Sequence, residues 1–506
     1  MPLSYIAGAI EGSPDVFVTV ENYQGKGATV VTTAFEALRS LNIPARAMGP
    51  KEGLTLVNGT SSSTGLASLV MYEALQLGVL IQALAGMAVE ALLGNAESFH
   101  PFVSAVRPHV GQVEVARNVL DLLHGSRLAT NLEQSKDRKK AGLVQDRYAL
   151  RSVPQWIGPQ LEDMLLAHQQ ITTELNSTCD NPIIDTESRD VYYGCNFQAA
   201  SVTSAMEKVR IALQMLGKLV FSQATEIIEP HLNNGLPTNL APDDTNLSFT
   251  MKGVDTNMAA YMAELAYLSH PISSHIQAAE MHNQSVNSMA LASSRFSMQA
   301  VEILSIMCAC HLYVACQALD LRILHLTFMA TAVSVLQKLT DSQLPNLDSD
   351  ETRDHLLAAL DARFRKTWST TNLLSPAERC VVTVESTVGV VVEFCSKTTT
   401  AQQIQSWKTT AIASLSQAWD DTIASFVKQP TTLQYLGKGS RMLYKTVRED
   451  LGVPFHQGLQ DHPTAQSQKI GMGGPDKKTI SSQVSIIYEA IRRGDVVNRV
   501  FEALTL

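Results

Sequence analysis

The chain has 506 residues, 45% hydrophobic and 17% charged, with a formal net charge of −9 at pH 7. That length can bury a large core, and the composition is that of a globular protein rather than a disordered or fibrous one. A negative balance without a polybasic run excludes a nucleic-acid footprint, and no basic amphipathic stretch argues for a membrane surface.

Residues 1–18 hold no Lys or Arg, so they carry neither the basic start of a secretory signal nor the character of an Arg-rich transit peptide. Helical periodicity dominates from there on. The spacing predicts helices over 66–93, 205–221, 256–268, 285–336 (with room for a break) and 381–427, and a short one over 480–493. Within 205–221, Met206, Val209, Leu213, Leu216 and Val220 recur at steps of three or four and form one apolar stripe. Pro230 then marks a stop. The most apolar stretch, 303–319, is interrupted by His311 and Gln317 and flanked by Glu302, Asp320 and Arg322, which predicts a core helix rather than a membrane span. At about 100° per residue, Cys308, Cys310, His311 and Cys316 fan around that helix, so they read as buried groups rather than ligands of one ion. With seven cysteines in no framework spacing, a reducing cytoplasm is expected, and the glycosylation-like sequons at Asn58, Asn176, Asn246 and Asn283 read as chance.

Two irregular stretches, 231–250 and 452–478, punctuate the helices, and an acidic segment over 341–354 reads as a link. A loop as long as 231–250 inside a bundle is usually functional or disordered. The expected architecture is all-α, a long-helix bundle with a further helical region toward the C-terminus. Its expected parts are a central bundle over 1–325, an inserted helical region over 326–437 and a C-terminal segment over 438–506.

The densest polar signals are LVNGTSSSTG (56–65), QDRYALRS (145–152), TCDNPIID (178–185), YGCNFQ (193–198), MKGVD (251–255) and QAAEMHNQSVNS (277–288). Together they offer amide, guanidinium, ammonium and carboxylate groups, a mixture suited to a small zwitterion. Arg151 can hold a carboxylate through a bidentate fork, with amides such as Asn58, Gln145 and Asn181 completing its lone pairs. Glu280 can bind an ammonium or accept its proton.

Each has a plainer reading. Arg151 can be an inter-helix ion pair. Asn58 can be a turn residue, with Thr60 or Ser61 a helix N-cap. Asn181-Pro182 can end a helix, Glu280 can sit at the start of the following one, and Phe197 can be core. GTSSSTG lacks the Lys-Ser/Thr ending of a phosphate loop. His275, Glu280 and His282 lack zincin spacing, and no nucleophile elbow occurs.

Taken together, these blocks resemble the phenylalanine and histidine ammonia-lyase family, its fungal phenylalanine members above all. The likeness starts at PLSYIAGAIEGSPD (2–15). It continues through GPKEGLTLVNGT, ESFHPF, QDRYALRSVPQWIGP, DNPIID, GCNFQAASV, MKGVD and QAAEMHNQSVNS to YLGKGSRMLYKTVREDLGV and IYEAIRRGD. The resemblance implies an all-helical subunit, a homotetramer with active sites where several subunits meet, and elimination of ammonia from L-phenylalanine to trans-cinnamate. An aminomutase would use the same pocket.

By matching motif, Asn58, Gln145, Arg151, Asn181, Lys252, Glu280 and Asn283 would line the substrate site. Arg151 would hold the carboxylate with Tyr148 beside it, Tyr148 and Glu280 being the catalytic pair. Phe197 would lie near the electrophile, Gln284 in the supporting polar shell. Residues 323–437 would resemble the extra helical region of plant and fungal members. Cys195 departs from the family, where Gly is common.

The family's electrophile is a methylidene-imidazolone formed from an Ala-Ser-Gly a few residues before PLSYIAG. Here Met1 precedes Pro2, and no Ala-Ser-Gly occurs in the 506 residues. The expectation is therefore a substrate cradle without its reactive centre, an ammonia-lyase whose N-terminal part is missing through an incorrect start or is supplied by a second, complementing chain. The competing expectation is a homologue reused without the group, as a scaffold or for other chemistry.

Overall fold

Long helices dominate the computed structural model, which describes residues 2–21, 27, 29–130, 145–344, 350–394, 399–462 and 478–505. Among the described residues, strands form only two short antiparallel pairs, Phe17–Val20 with Val30–Thr33 and Ile183–Asp185 with Asp190–Tyr192. The all-α expectation holds. The stripe over 205–221 belongs to a helix spanning Ala200–Ile228, and 285–336 to a single unbroken helix, Ala290–Gln343. The pattern over 381–427 is two helices, Pro376–Phe394 and Ala401–Lys428. Thr400 and Gln403 form a reciprocal capping box that starts the second one afresh. The last helix is followed by another, Asp495–Thr505. Residues 345–349 of the acidic link and 463–477 of the second irregular stretch lie outside the described residues.

Two units emerge from the contacts. The first takes Met1–Ala74, Asp163–Ala212 and Leu268–Val301, and the second takes Leu75–Glu162, Leu213–Tyr267 and Glu302–Leu506.

In the first unit, the Arg210 guanidinium is fully buried and donates to Ser293 O at 2.9 Å, Ser293 Oγ at 2.7 Å and Ser297 Oγ at 3.2 Å. These bonds hold the start of the long Ala290–Gln343 helix. Glu207, one turn before Arg210, accepts the backbone N–H of Ile272 and of Ser273, both at 2.8 Å.

Among the described residues, two segments, Glu52–Ala91 and Ala290–Gln343, are long and apolar enough to cross a membrane, but their apolar windows are 83% and 78% buried inside the protein. They are core helices. Around residue 311, in the second unit, the core is fully buried. The Cys310 and Cys316 thiols are pushed up to about 12 by burial, and the His311 imidazole is pushed down to about 4. Helices also meet at glycine. A Cβ on Gly158 would lie 2.5 Å from Gln112 N, and one on Gly111 2.1 Å from Gly158 O. Only bare backbone lets the Val110–Leu122 and Val153–Leu175 helices approach so closely.

His311 generates a pH-dependent stability. Its free value of 6.5 falls to about 4 in the fold because burial disfavours the charged ring, and neither ring nitrogen has a partner among the described residues. Below about pH 6.5 the unfolded chain takes up a proton that the folded chain refuses, so stability drops until about pH 4, by on the order of 3 kcal/mol. His325 is also buried and lowered, so the comparison must be between proteins. In urea unfolding between about pH 7 and about pH 4, His311→Leu should lose on the order of 3 kcal/mol less than wild type. Equal losses would contradict this account.

Candidate functional site

In the first unit the candidate residues lie on a run of loops tied to one another. The Glu52–Val57 helix ends at half-buried Asn58, whose N–H caps Leu54 O at 2.8 Å. A Cβ on the next residue, Gly59, would touch Cys179 Sγ at 3.3 Å, so this turn lies against the 178–181 loop. Lys51 adds a second tie. Its ammonium meets Asp180 Oδ2 at 2.6 Å, and that hydrogen bond is the main reason the Asp180 carboxyl sits below its usual range.

Asn181 does not end a helix, because the preceding helix stops at Leu175. It stands at a cis bond to Pro182, and its Oδ1 accepts the Gly194 N–H at 3.1 Å. Asn196 Nδ2 returns a bond to Thr178 O at 3.2 Å. Phe197 follows, half-buried rather than in the core. Gln198 Nε2 then reaches Val286 O at 3.3 Å, joining this turn to the 277–288 loop.

That loop is closed by Ala279 and Gln284, which exchange backbone bonds of 3.0 and 3.2 Å. Between them Glu280, Met281 and His282 all have left-handed backbone, at φ 50°, 51° and 67°. Such conformations cost energy in non-glycine residues and persist where their surroundings enforce them. Glu280 Oε2 accepts Asn283 Nδ2 and Gln284 Nε2, both at 3.0 Å, and the carboxylate is exposed. The next helix begins only at Ala290, so a helix dipole does not explain the charge.

In the second unit, Gln145, Tyr148 and Arg151 form their own cluster. Arg151 Nη1 donates to Gln145 Oε1 at 2.7 Å, and its guanidinium carbon is 4.9 Å from the centre of the Tyr148 ring. Among the described residues, Arg151 Nε is buried without a partner, while Tyr148 is 72% exposed. The ion pair expected of an Arg here belongs to Arg147, which meets Glu226 at 3.0 Å and also donates to Leu232 O at 2.5 Å. Lys252 opens the Lys252–Leu268 helix with its ammonium 5.0 Å from the Phe249 ring centre. Among the described residues, no hydrogen bond or ion pair ties it to the Arg151 cluster.

Thus the structure brings Asn58, Asn181, Phe197, Glu280, Asn283 and Gln284 into one network, and Gln145, Tyr148 and Arg151 into another. Sequence reasoning missed Lys51, Asn196, Gln198 and Glu207, which hold the loops. The signal for Glu207 was available, as a charge inside the apolar periodicity of a long helix.

A family model described as aromatic amino acid lyase matches residues 1–341. A phenylalanine aminomutase (L-beta-phenylalanine forming) of Talaromyces islandicus is 51% identical over 498 residues, covering 98% of this chain and 69% of that protein. A phenylalanine ammonia-lyase of Aspergillus hancockii is 47% identical over 515 residues, covering 100% of this chain and 72% of that protein. The crystal structure of phenylalanine ammonia-lyase from Rhodosporidium toruloides superposes with a TM-score of 0.90 at 38% identity, covering 99% of this chain and 76% of that one.

Asn181 offers a local check on the first network. Its side chain is the acceptor for the Gly194 amide, a bond worth about 1 kcal/mol net. In Asn181→Ala the Gly194 amide should exchange with deuterium about fivefold faster, and an unchanged rate would show that the turn does not depend on it.

Proposed function

The chain belongs to the aromatic amino acid lyase family, and from that premise we propose that it serves the non-oxidative elimination of ammonia from L-phenylalanine to trans-cinnamate. By family it is a carbon–nitrogen lyase. The observation that carries the reading is Arg151, whose Nε is buried without a partner while Nη1 is steadied by Gln145. A guanidinium in that state can donate two parallel bonds to a carboxylate. Tyr148 lies over the same group and restricts its motion. Phe197 offers an aromatic surface for the substrate ring. Glu280, fixed by two amide donors, is assigned the role of holding the substrate ammonium or taking a proton. Tyr148 and Glu280 are thus assigned the proton-handling roles, and Asn58, Asn181, Lys252, Asn283 and Gln284 the polar shell.

Side chains supply acids, bases and nucleophiles, and elimination of an unactivated amine also needs an electron sink. In this family a methylidene-imidazolone built from Ala-Ser-Gly supplies it. Among the side chains tied into the network that holds Phe197, Asn181, Asn196, Gln198 and Gln284 are neutral amides, chemistry that suits an uncharged heterocycle. No Ala-Ser-Gly occurs among the 506 residues, so we assign the group to polypeptide outside them. A cytoplasmic homo-oligomer, a tetramer by family, completes the reading. Its support is the exposure of Tyr148, Glu280, Asn283 and Gln284 in a single copy.

A second reading is favoured by the 51% identity to the aminomutase, namely return of ammonia to the neighbouring carbon to give β-phenylalanine. Incubation with L-phenylalanine, with and without a polypeptide carrying the Ala-Ser-Gly segment, separates these by chromatography. Cinnamate alone supports the lyase and β-phenylalanine the aminomutase. Product from the 506 residues alone at an ordinary enzymatic rate overturns the assignment of the electrophile, and no product in either arm overturns both readings. In the active preparation, Arg151→Lys should lower kcat/KM by roughly ten- to a hundredfold, as expected for losing a charged bidentate contact.

A further inference from the structure

Within the second unit a cavity of about 560 Å³ opens between the short Pro101–Ala105 helix and the Val110–Leu122 helix. None of the candidate residues above lines it. Its walls are Phe99, Pro101, Val113, Ala116 and Leu120. Local chain chemistry holds them apart. Asn95 caps the turn that buries Phe99, and His100 Nδ1 accepts the Phe102 N–H at 3.1 Å, starting the short helix at Pro101. Small residues, Ser104 and Ala105 on one side and Ala116 on the other, leave the space between the helices open.

The rim is polar and carries a positive balance. Arg117, Asp121 and His124 line it. Asp121 is neutralised by Lys438, 2.7 Å away. Arg117 is exposed and has no hydrogen bond or ion pair among the described residues. An apolar slot beneath a free guanidinium suits an amphiphile with a flat apolar body and one negative end. The volume falls within the range of roughly 300–1,000 Å³ usual for small-molecule sites. A doubly charged phosphate would find, among the described residues, only one permanent cation free to meet it.

We propose that this cavity binds a small arylalkyl monocarboxylate, its ring between the two helices and its carboxylate on Arg117. The site is independent of the Arg151 cluster and of the reaction assigned to it.

The probe is 4-phenylbutyrate, added to the intact protein. Equilibrium dialysis reads affinity, and hydrogen exchange reads which amides become protected. Protection should appear over residues 99–124. Arg117→Gln, a change on an exposed helix face, should weaken binding by at least about tenfold, as should replacing the acid with neutral 4-phenylbutanamide. Ala105→Phe, which fills the slot, should abolish protection while circular dichroism stays unchanged. Three results would each overturn the proposal: no protection over 99–124, equal affinity in Arg117→Gln, or protection at those residues that follows protein concentration and ignores the acid. The last would mark the slot as a seat for a second copy.

Discussion

A helix that ends inside a protein leaves its last carbonyls without water, and the second unit is organised around meeting that need. The Ser61–Ala91 helix ends in the core, and Arg322 answers it. Its Nε and Nη2 donate to Ala91 O at 3.2 and 2.9 Å, and its other bonds go to Asn233 O at 2.7 Å and Asn234 O at 2.8 Å. Burial lowers its pKa only to about 9, so the guanidinium stays charged at neutral pH and strengthens each of those bonds. Asn234 returns a bond of 2.5 Å to Leu92 O. Thus the Asn-rich start of the irregular 231–250 stretch is a terminator for a buried helix and is itself pinned by one side chain. Asn372 extends the arrangement by donating to Pro230 O and Leu236 O at 2.6 and 2.9 Å.

Two residues before Arg322, Asp320 does the complementary work with acceptors. It takes Thr432 Oγ1 at 2.6 Å, the Tyr444 hydroxyl at 2.5 Å and Arg448 at 2.7 and 3.0 Å. The carboxylate raises the Arg448 guanidinium against its burial, and burial together with the same carboxylate holds the Tyr444 phenol in its neutral form. One stretch of one helix therefore anchors both an internal loop and the C-terminal segment. A buried ion pair of this kind costs desolvation, which the extra hydrogen bonds offset, and its larger effect is to fix one arrangement among alternatives. The candidate site uses charge differently. Arg147 spends its guanidinium on Glu226 and Leu232, which leaves Arg151, four residues on, only partly engaged.

The long helices were readable because their apolar stripes are local and periodic. The break within 381–427 was readable too, since Thr400-x-x-Gln403 is a capping signature, but apolar periodicity on both sides masked it. The polar blocks lie on loops, short strands and helix ends. What holds them was not readable. Lys51 and Asp180 are far apart in sequence, as are Gln198 and Val286, and no local pattern announces such a pair. Glu280 shows the limit from the other side. Its position before an apolar run suggested a helix start, whereas the 277–288 stretch closes on itself through Ala279 and Gln284 and delays the helix to Ala290.

A family resemblance mixes residues kept for packing with residues kept for chemistry, and geometry tells them apart. In the QWIGP block, Gly158 meets Gly111 so closely that any side chain would strike backbone, so its place in the motif reflects a helix crossing. Arg151, a few residues earlier in the same block, makes the opposite case, because its unmet Nε contributes little to holding the fold together. Cys195, where the resemblance leads one to expect glycine, can be judged by the same test. It is not among the residues with left-handed backbone, and its side chain is exposed, so a Cβ there is neither strained nor crowded. Its neighbours Gly194 and Asn196 keep their bonds to Asn181 and Thr178. The substitution is therefore absorbed locally, and Phe197 is held by the same turn that glycine would allow.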